Sequence, residues 1–409
     1  MQKKFGLLGR KLSHSFSPQI HAMLYDEPYD LFEREPDDVE NFMNDYDFDA
    51  INVTIPYKKD VVPFCAELSE TAKRIGSVNT IVKRADGSFY GDNTDYYGLS
   101  YMILKSGISV KGKKAIILGS GGASLTAQKV LSDMEVSSLT VISRTSEDNY
   151  DNLYEKHSDT EILLNATPVG MYPKNGETLI NMDKLPNLIA VFDMIYNPSK
   201  TRLLLDAESR GITFVNGLSM LVAQAKKSAE IFLGKSIPDS KTEEIIKALE
   251  QQTKNIILIG MPGCGKSTTG KKLSKMLGRP LLDTDTELEK SVQKTIPDII
   301  QQQGEVEFRK LETKILDDVS KLSGKIIATG GGIITREENI PLLKQNSVIF
   351  YLSRPLSELP YKGRPLSGKY GVEALFNERK PLYEKAADFK IDVCGINETA
   401  QKVKELFFA

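Results

Sequence analysis

The sequence predicts an α/β protein with mainly parallel sheets, divided into more than one domain. Three observations carry this expectation. Short apolar runs alternate with helix-length amphipathic stretches through most of the 409 residues. Two of the runs end in glycine-rich turns of unlike design, AIILGSGGA at 115–123 and IILIGMPGCGKST at 256–268. The length exceeds what a single hydrophobic core ordinarily serves.

Composition narrows the functional classes. Hydrophobic residues make up 40% and charged residues 26%, with a net charge of -2, so no basic footprint for nucleic acid is present. Cys65, Cys264 and Cys394 lie far apart, which argues for reduced thiols and against a disulfide scaffold or a zinc site. His14, His21 and His157 are too scattered to anchor a metal. The first residues lack the apolar core and cleavage site of a secretory signal, and no apolar run reaches the length of a membrane span. A cytoplasmic protein without membrane or nucleic-acid partners is expected; the sequence does not fix its oligomeric state.

Taken in order, strands are predicted at Phe5–Leu8, Ala50–Ile55 and Thr80–Lys83, then at Lys114–Leu118 and Thr140–Ser143 around a glycine turn and helix. Further strands fall at Ile162–Asn165, Ala190–Asp193 and near Thr213–Val215. Residues 218–233 have helical apolar spacing, and Ser240-Lys-Thr-Glu243 reads as a capping box opening a helix over 240–252. A fresh strand begins at Asn255, with no Gly/Ser or Pro spacer before it, so the junction is expected near 251–254.

Gly260-x-x-x-x-Gly265-Lys266-Ser267 after a strand is a complete Walker A pattern. Backbone N–H groups at such a turn, including those of Gly263, Gly265 and Thr268, wrap triphosphate oxygens where side chains would obstruct. Lys266 would neutralise the β/γ charge and Ser267 would ligand Mg²⁺. Asp283 and Asp285 stand at i, i+2 at the end of a predicted strand, so an extended backbone would point both carboxylates the same way. Then come Phe308-Arg309-Lys-Leu-Glu312, Ala328-Thr-Gly330-Gly331-Gly332, Gly363-Arg364-Pro365-Leu366 and Asn377-Glu-Arg379-Lys-Pro-Leu-Tyr383. With these in order, residues 254–409 resemble shikimate kinase. The resemblance implies ATP as co-substrate, Asp283 as the Mg²⁺-associated carboxylate and Asp285 as the residue that polarises the shikimate hydroxyls. It also implies that Arg309 and Arg379 hold the substrate carboxylate, that Gly330, Gly331 and Gly332 form the substrate-side turn, and that Arg364 closes over the phosphates.

In the first half, Gly119, Gly121, Gly122 and Ala123 follow a strand and open a helix, with Ser124 in the sixth position of the dinucleotide fingerprint. The next strand ends in Ser143, Arg144 and Thr145 rather than an acidic residue, which favours a ribose 2′-phosphate and hence NADP(H). Ser15-Phe-Ser17-Pro18, Asn52-Val-Thr54-Ile-Pro56-Tyr-Lys58, Ser77-Val-Asn79-Thr80 and Asn93-Thr-Asp95 precede this turn. Asn165-Ala-Thr167, Asp193-Met-Ile-Tyr196 and Gly217-Leu-Ser-Met220-Leu-Val-Ala-Gln224 follow it. This series resembles shikimate dehydrogenase over about residues 1–250. The resemblance implies Lys58 and Asp95 as the catalytic pair, Ser15 and Ser17 on the substrate carboxylate, and Thr54, Asn79 and Gln224 on the ring hydroxyls. Tyr196 would line the cleft, and Gly217 belongs to the cofactor side.

The expected organisation is a two-lobed dehydrogenase-like unit followed by a P-loop kinase domain. Residues 1–102 would form a substrate lobe completed by returning helices at 217–252, 103–216 a Rossmann lobe, and 253–409 the kinase. The expected substrates are 3-dehydroshikimate and shikimate, consumed in consecutive steps. Two alternatives are a dehydrogenase acting on quinate or a relative, and a nucleotide-sensing protein without turnover; intact Lys58, Asp95, Lys266, Asp283 and Asp285 argue against the second.

Overall fold

The computed structural model describes residues 3–13, 15–359 and 371–409. By internal contacts the chain divides into two units. One holds the chain up to Val169, with Thr178–Tyr196 and Asp206–Ala248. The other holds Leu249–Ala409 together with two earlier segments, Gly170–Glu177 and Asn197–Leu205.

The first unit contains two sheets. Strands β1 (Phe5–Gly9), β2 (Tyr29–Glu33), β3 (Ala50–Val53), β4 (Glu67–Leu68), β5 (Thr80–Lys83) and β6 (Phe89–Asp92) form one, in the order β2-β1-β3-β5-β6-β4. This sheet is mixed: β5 runs antiparallel to both β3 and β6. The β5–β6 reversal comes from a tight Asp86-Gly87 hairpin closed by Arg84 and Ser88, with Gly87 at φ +85°. That dipeptide is legible in the sequence as a turn signal, and the mixed sheet agrees with the expectation of sheets that are mainly, not wholly, parallel. β3 also stops at Val53, two residues short of the expected end, because the Thr54 carbonyl accepts from Tyr57 N–H in a turn at 3.0 Å. Helices α1 (Ser17–Leu24), α2 (Val39–Asp45), α3 (Glu70–Ile75) and α4 (Thr94–Lys105) accompany this sheet.

Strands β7 (Lys114–Leu118), β8 (Ser138–Ile142), β9 (Ile162–Asn165), β10 (Ala190–Asp193) and β11 (Thr213–Val215) form the second sheet, all parallel, in the order β11-β10-β9-β7-β8. Helices α5 (Gly122–Asp133), α6 (Leu153–His157) and α7 (Arg202–Ser209) belong to its crossovers. Ile116, Ile117, Leu163, Leu164, Val191 and Phe192 are all buried, as continuous apolar strands covered on both faces should be. The strand order reverses between β8-β7 and β9, so the loops after β7 and β9 meet at a switch point where ligands bind such sheets.

Helix α8 (Leu218–Leu233) returns to lie along α4 and α1, packing Ala229 and Phe232 against Phe5 and Tyr25 of the first lobe. Helix α9 (Asp239–Thr253) starts one residue before the expected cap, which places Ser240 inside the first turn. The anticipated capping box is not formed: Glu243 accepts instead from Tyr101 and pairs with Lys105, both on α4. A tertiary ion pair has taken the carboxylate that local capping would have used.

The second unit is built on β12 (Asn255–Ile259), β13 (Leu281–Asp283), β14 (Ile326–Ala328), β15 (Ser347–Ser353) and β16 (Phe389–Asp392), all parallel, in the order β13-β14-β12-β15-β16. Around it lie α10 (Lys266–Leu277), α11 (Thr284–Val292), α12 (Ile296–Ser320), α13 (Asn339–Lys344), α14 (Val372–Ala386) and α15 (Ile396–Phe408). α12 breaks at Gly304, whose φ of +85° is non-helical. The two earlier segments are held by polar contacts: Tyr172 donates to the Ser320 carbonyl at 2.9 Å, and Asn175 donates to Gln345 Oε1 at 2.6 Å. Lys200 N–H donates to the Gln345 carbonyl at 2.8 Å. Among the described residues no helix is long and apolar enough to cross a membrane.

Candidate active sites

In the first unit the expected substrate groups gather beyond the C-terminal ends of β1 and β3, at the N-terminal end of the antiparallel β5, and at the start of α4. Ser17 opens α1, and its N–H donates to Ser15 Oγ at 3.2 Å, so the two hydroxyl residues share one turn. Lys58 follows β3 in a turn whose carbonyl is pinned by Val78 N–H at 2.7 Å, beside fully buried Tyr57. Its ammonium lies 2.5 Å from Asp95 Oδ2. Asp95 Oδ1 accepts from Asn79 Nδ2 at 2.9 Å, so both carboxylate oxygens are engaged. Asp95 sits in the first turn of α4, where the helix dipole favours an anion. Gln224 on α8 faces the same group, with Thr94 Oγ1 3.4 Å from its Oε1. Thr54 follows β3, half-buried.

Tyr196 stands beyond β10 with its ring 5.6 Å from that of Phe16, which brings it to the loop carrying Ser15 and Ser17. Burial pushes its phenol above the ordinary range. Gly217 passes so close to the segment after β10 that a Cβ there would lie 2.1 Å from the Met194 carbonyl oxygen, which no side chain tolerates. At the dinucleotide turn, Gly121 is the N-cap residue of α5, and Gly122 and Ala123 supply its first N–H groups. Asn165 fixes the opposing loop, accepting from Thr167 Oγ1 at 2.7 Å and donating to buried Asp193 at 3.0 Å. Arg144 and Thr145 are exposed, whereas Ser143 is buried and its hydroxyl is 2.9 Å from that of Ser146. Of the three residues expected at the ribose, the first is therefore engaged in shaping its own turn.

In the second unit the loop after β12 leads into α10. Lys266 is buried and donates to the carbonyls of Gly260 at 2.8 Å and Met261 at 3.1 Å, so its charge is held over the loop. Ser267 Oγ and Asp283 Oδ2 are 2.5 Å apart. Two hard oxygen groups beside a phosphate cradle fit Mg²⁺, which takes few protein ligands and completes its shell from phosphate and water. Among the described residues no cluster of three or more His, Cys, Asp or Glu is positioned to hold a metal.

The expectation that Asp283 and Asp285 extend side by side from a strand is overturned. β13 ends at Asp283, which is the N-cap of α11: its carboxylate accepts from Asp285 N–H at 3.1 Å and Thr286 N–H at 3.4 Å. Capping turns the chain, and Asp285 is delivered into a cavity of about 500 Å³ that the phosphate loop also lines. Burial, and then the charge of Glu312, push the Asp285 carboxyl up to about 6.

Arg309 on α12 lines the same cavity, donating to Glu312 Oε2 at 2.7 Å as an i, i+3 pair, but both residues are buried rather than on the surface. Glu312, which motif reading passed over, is 2% exposed, and its Oε1 has no partner among the described residues. Burial raises its pKa, and Arg309 opposes the rise. Arg379 on α14 reaches the carbonyl of Gly331 at 3.4 Å, and its Nε is buried without a partner among the described residues. The glycine turn has no room for side chains: a Cβ at Gly332 would fall 2.1 Å from Arg309 Nη1, and one at Gly330 2.4 Å from Glu312 Oε1. Two guanidiniums, two carboxyls and a phosphate loop around one cavity suit a small acid with hydroxyls and a phosphoryl donor. Arg364, and His14 of the first half, lie outside the described residues.

Residues 7–81 match the family model for the shikimate dehydrogenase substrate binding domain. A shikimate dehydrogenase (NADP(+)) of Clostridium beijerinckii is 35% identical over 268 residues, which span 61% of this chain and 99% of that protein. The chain belongs to the shikimate dehydrogenase family. It continues into a shikimate kinase domain, matched by that family's model over 262–407. Among solved structures, shikimate dehydrogenase 1 of Peptoclostridium difficile is 39% identical with a TM-score of 0.56, covering 61% of this chain and 98% of that one. A chorismate mutase/shikimate 5-dehydrogenase fusion from Clostridium acetobutylicum is 35% identical with a TM-score of 0.58, again over 61% and 98%. The protein is a bifunctional enzyme, an oxidoreductase joined to a kinase.

Proposed function

We propose that the dehydrogenase half reduces 3-dehydroshikimate to shikimate with NADPH, and that the kinase half phosphorylates the shikimate 3-hydroxyl with Mg²⁺-ATP. The observation that carries this reading is the presence, in one chain, of Lys58 paired with Asp95 and of Asp285 facing the phosphate loop. In the first reaction the ketone oxygen gains negative charge as its carbon accepts hydride from NADPH. The Lys58 ammonium stabilises that charge and supplies the proton, while Asp95 keeps the ammonium in place. Ser15 and Ser17 bind the substrate carboxylate, Thr54, Asn79 and Gln224 orient the hydroxyls, and Tyr196 closes one wall. Gly119, Gly121, Gly122 and Ala123 receive the pyrophosphate of NADP(H), Arg144 and Thr145 the 2′-phosphate, and Gly217 lets the cofactor-side backbone approach.

In the second reaction Arg309 and Arg379 hold the carboxylate of shikimate against Gly330, Gly331 and Gly332. Asp285 accepts the hydrogen bond of the attacking hydroxyl, and Glu312 keeps Arg309 aimed. Gly263, Gly265, Lys266 and Thr268 cradle the phosphates. Ser267 and Asp283 would hold Mg²⁺, which supplies charge neutralisation for the transferred group. The domain division that fits this reading is 1–102 with 217–252 as substrate lobe, 103–216 as cofactor lobe and 253–409 as kinase.

The test is a coupled assay. Purified protein with 3-dehydroshikimate, NADPH, Mg²⁺ and ATP is expected to yield shikimate 3-phosphate, and absence of that product sinks the proposal. Variants separate the halves. Lys266→Ala should abolish phosphorylation and spare NADPH oxidation, while Lys58→Met should lower the dehydrogenase kcat by about two orders of magnitude or more with a smaller change in KM.

A further inference from the structure

Beneath the Lys58–Asp95 pair lies a buried polar cluster that none of the assigned roles uses. Its centre is Ser228 on α8, which is 0% exposed. Ser228 Oγ lies 2.8 Å from Asn52 Nδ2, 2.9 Å from Thr80 Oγ1 and 2.9 Å from Thr94 Oγ1. It also donates to the Gln224 carbonyl one turn back at 3.0 Å. One hydroxyl thus joins β3, β5, α4 and α8.

The proton count gives this junction a direction. Ser228 has a single proton, which goes to the Gln224 carbonyl, so towards the other three groups it can only accept. Its two lone pairs take Asn52 Nδ2–H and one threonine hydroxyl. The other threonine proton is left for Asn79 Oδ1, which lies 3.0 Å from Thr80 Oγ1 and 3.2 Å from Thr94 Oγ1 and also accepts Thr94 N–H at 2.7 Å. With Oδ1 turned to these donors, the Asn79 amide directs its Nδ2 at Asp95 Oδ1. That contact sets the plane of the carboxylate, and the carboxylate sets the Lys58 ammonium. The far side of the cluster reaches the other end of the substrate site. Asn52 Oδ1 accepts from Tyr29 at 2.8 Å, and the Tyr29 phenol shares a hydrogen bond with Ser17.

We infer that Ser228 is a positioning residue for the hydride-transfer half: by accepting from Asn52 and a threonine, it holds Asn79 and Asp95 so that Lys58 points at the substrate oxygen. This inference rests on the proposed dehydrogenase reaction and extends it to a side chain that touches neither substrate nor cofactor. Without the Ser228 hydroxyl, a threonine O–H loses its 2.9 Å acceptor and Asn52 Nδ2 loses its shortest contact, keeping the Asn79 carbonyl and Thr80 Oγ1 at 3.2 Å each. Both donors then crowd onto Asn79, which tilts the carboxamide and loosens the ammonium.

The experiment compares wild type, Ser228→Ala, Thr94→Val and the double variant in reduction of 3-dehydroshikimate by NADPH, with ATP-dependent phosphorylation by the same preparations as the control for intact protein. For Ser228→Ala the expected result is a kcat about ten-fold lower with KM for 3-dehydroshikimate within two-fold. The two substitutions should be non-additive, the double variant losing little more than the worse single one, because they interrupt one chain of hydrogen bonds. Unchanged kcat, a rise confined to KM, or additive losses would overturn the inference. If Ser228→Ala does not give folded protein, Ser228→Cys, which keeps the volume and weakens the hydrogen bonds, is read by the same criteria. A wild type that does not reduce 3-dehydroshikimate refutes the dehydrogenase reading itself, which is a different outcome from a variant matching an active wild type.

Discussion

Asp285 shows how one side chain trades stability for chemistry. Its carboxyl is raised from 3.8 to about 6 by burial and by Glu312, so the folded protein holds that proton more tightly than the unfolded chain does. The stabilising contribution is present below 3.8 and is lost as pH rises through about 6, a cost on the order of 3 kcal/mol at neutral pH. In the proposed reaction activity runs the opposite way, because the carboxylate would have to be ionised to accept the hydrogen bond of the attacking hydroxyl. We expect kcat/KM for phosphorylation to fall on the acid side with a midpoint near 6 in a pH–rate profile. A midpoint near the ordinary carboxylate value would show that the burial does not act on catalysis. Asp285→Asn should abolish phosphorylation yet raise the stability of the second unit by roughly 1–2 kcal/mol at pH 7.5, read from denaturant unfolding. Lys266 differs from Asp285 in that its buried charge is satisfied by the Gly260 and Met261 carbonyls until a phosphate competes for it.

At the scale of elements, the turn after β14 is closely confined, with no room for a Cβ at Gly330, Gly331 or Gly332. Gly332 has an ordinary backbone conformation, so only space excludes a side chain there. Gly332→Ala should displace the Arg309 guanidinium, raise KM for shikimate about ten-fold or more, and leave KM for ATP close to wild type in steady-state kinetics. An equal loss for both substrates would mean that the phosphate loop moves too. The same scale shows what sequence reading can reach. β7 and β12 were legible to the residue because buried parallel strands are continuous apolar runs. The phosphate loop was legible because spacing and residue type carry its chemistry, whereas the Lys58–Asp95 pairing was expected only through the family resemblance. The antiparallel β5 was within reach through Asp86-Gly87, whereas the turn from Asp283 to Asp285 depended on a cap competing with an extended backbone. Glu312 and Ser228 were beyond reach because their partners come from other elements: Asp285 on α11 beside Glu312, and Asn52 on β3 beside Ser228.

For the chain as a whole, the second unit is not a simple C-terminal block, since Gly170–Glu177 and Asn197–Leu205 belong to it. Tyr172 is half-buried there and donates to the Ser320 carbonyl. Tyr172→Phe should lower the stability of the second unit by about 1 kcal/mol, followed as loss of phosphorylating activity on heating. No change in that transition would mean that the contact contributes nothing. Synthesis gives this arrangement an order in time. The ribosome releases residues 170–177 and 197–205 well before Ser320 and Gln345 exist, so both segments emerge as ends without sockets. The oxidoreductase sheet can form first, with these two segments left solvated, and residues 249–409, about two-fifths of the polypeptide, then mature onto segments already waiting for them. Growth from the N-terminus thus follows the chemistry it serves, the half that makes the intermediate being finished before the half that consumes it.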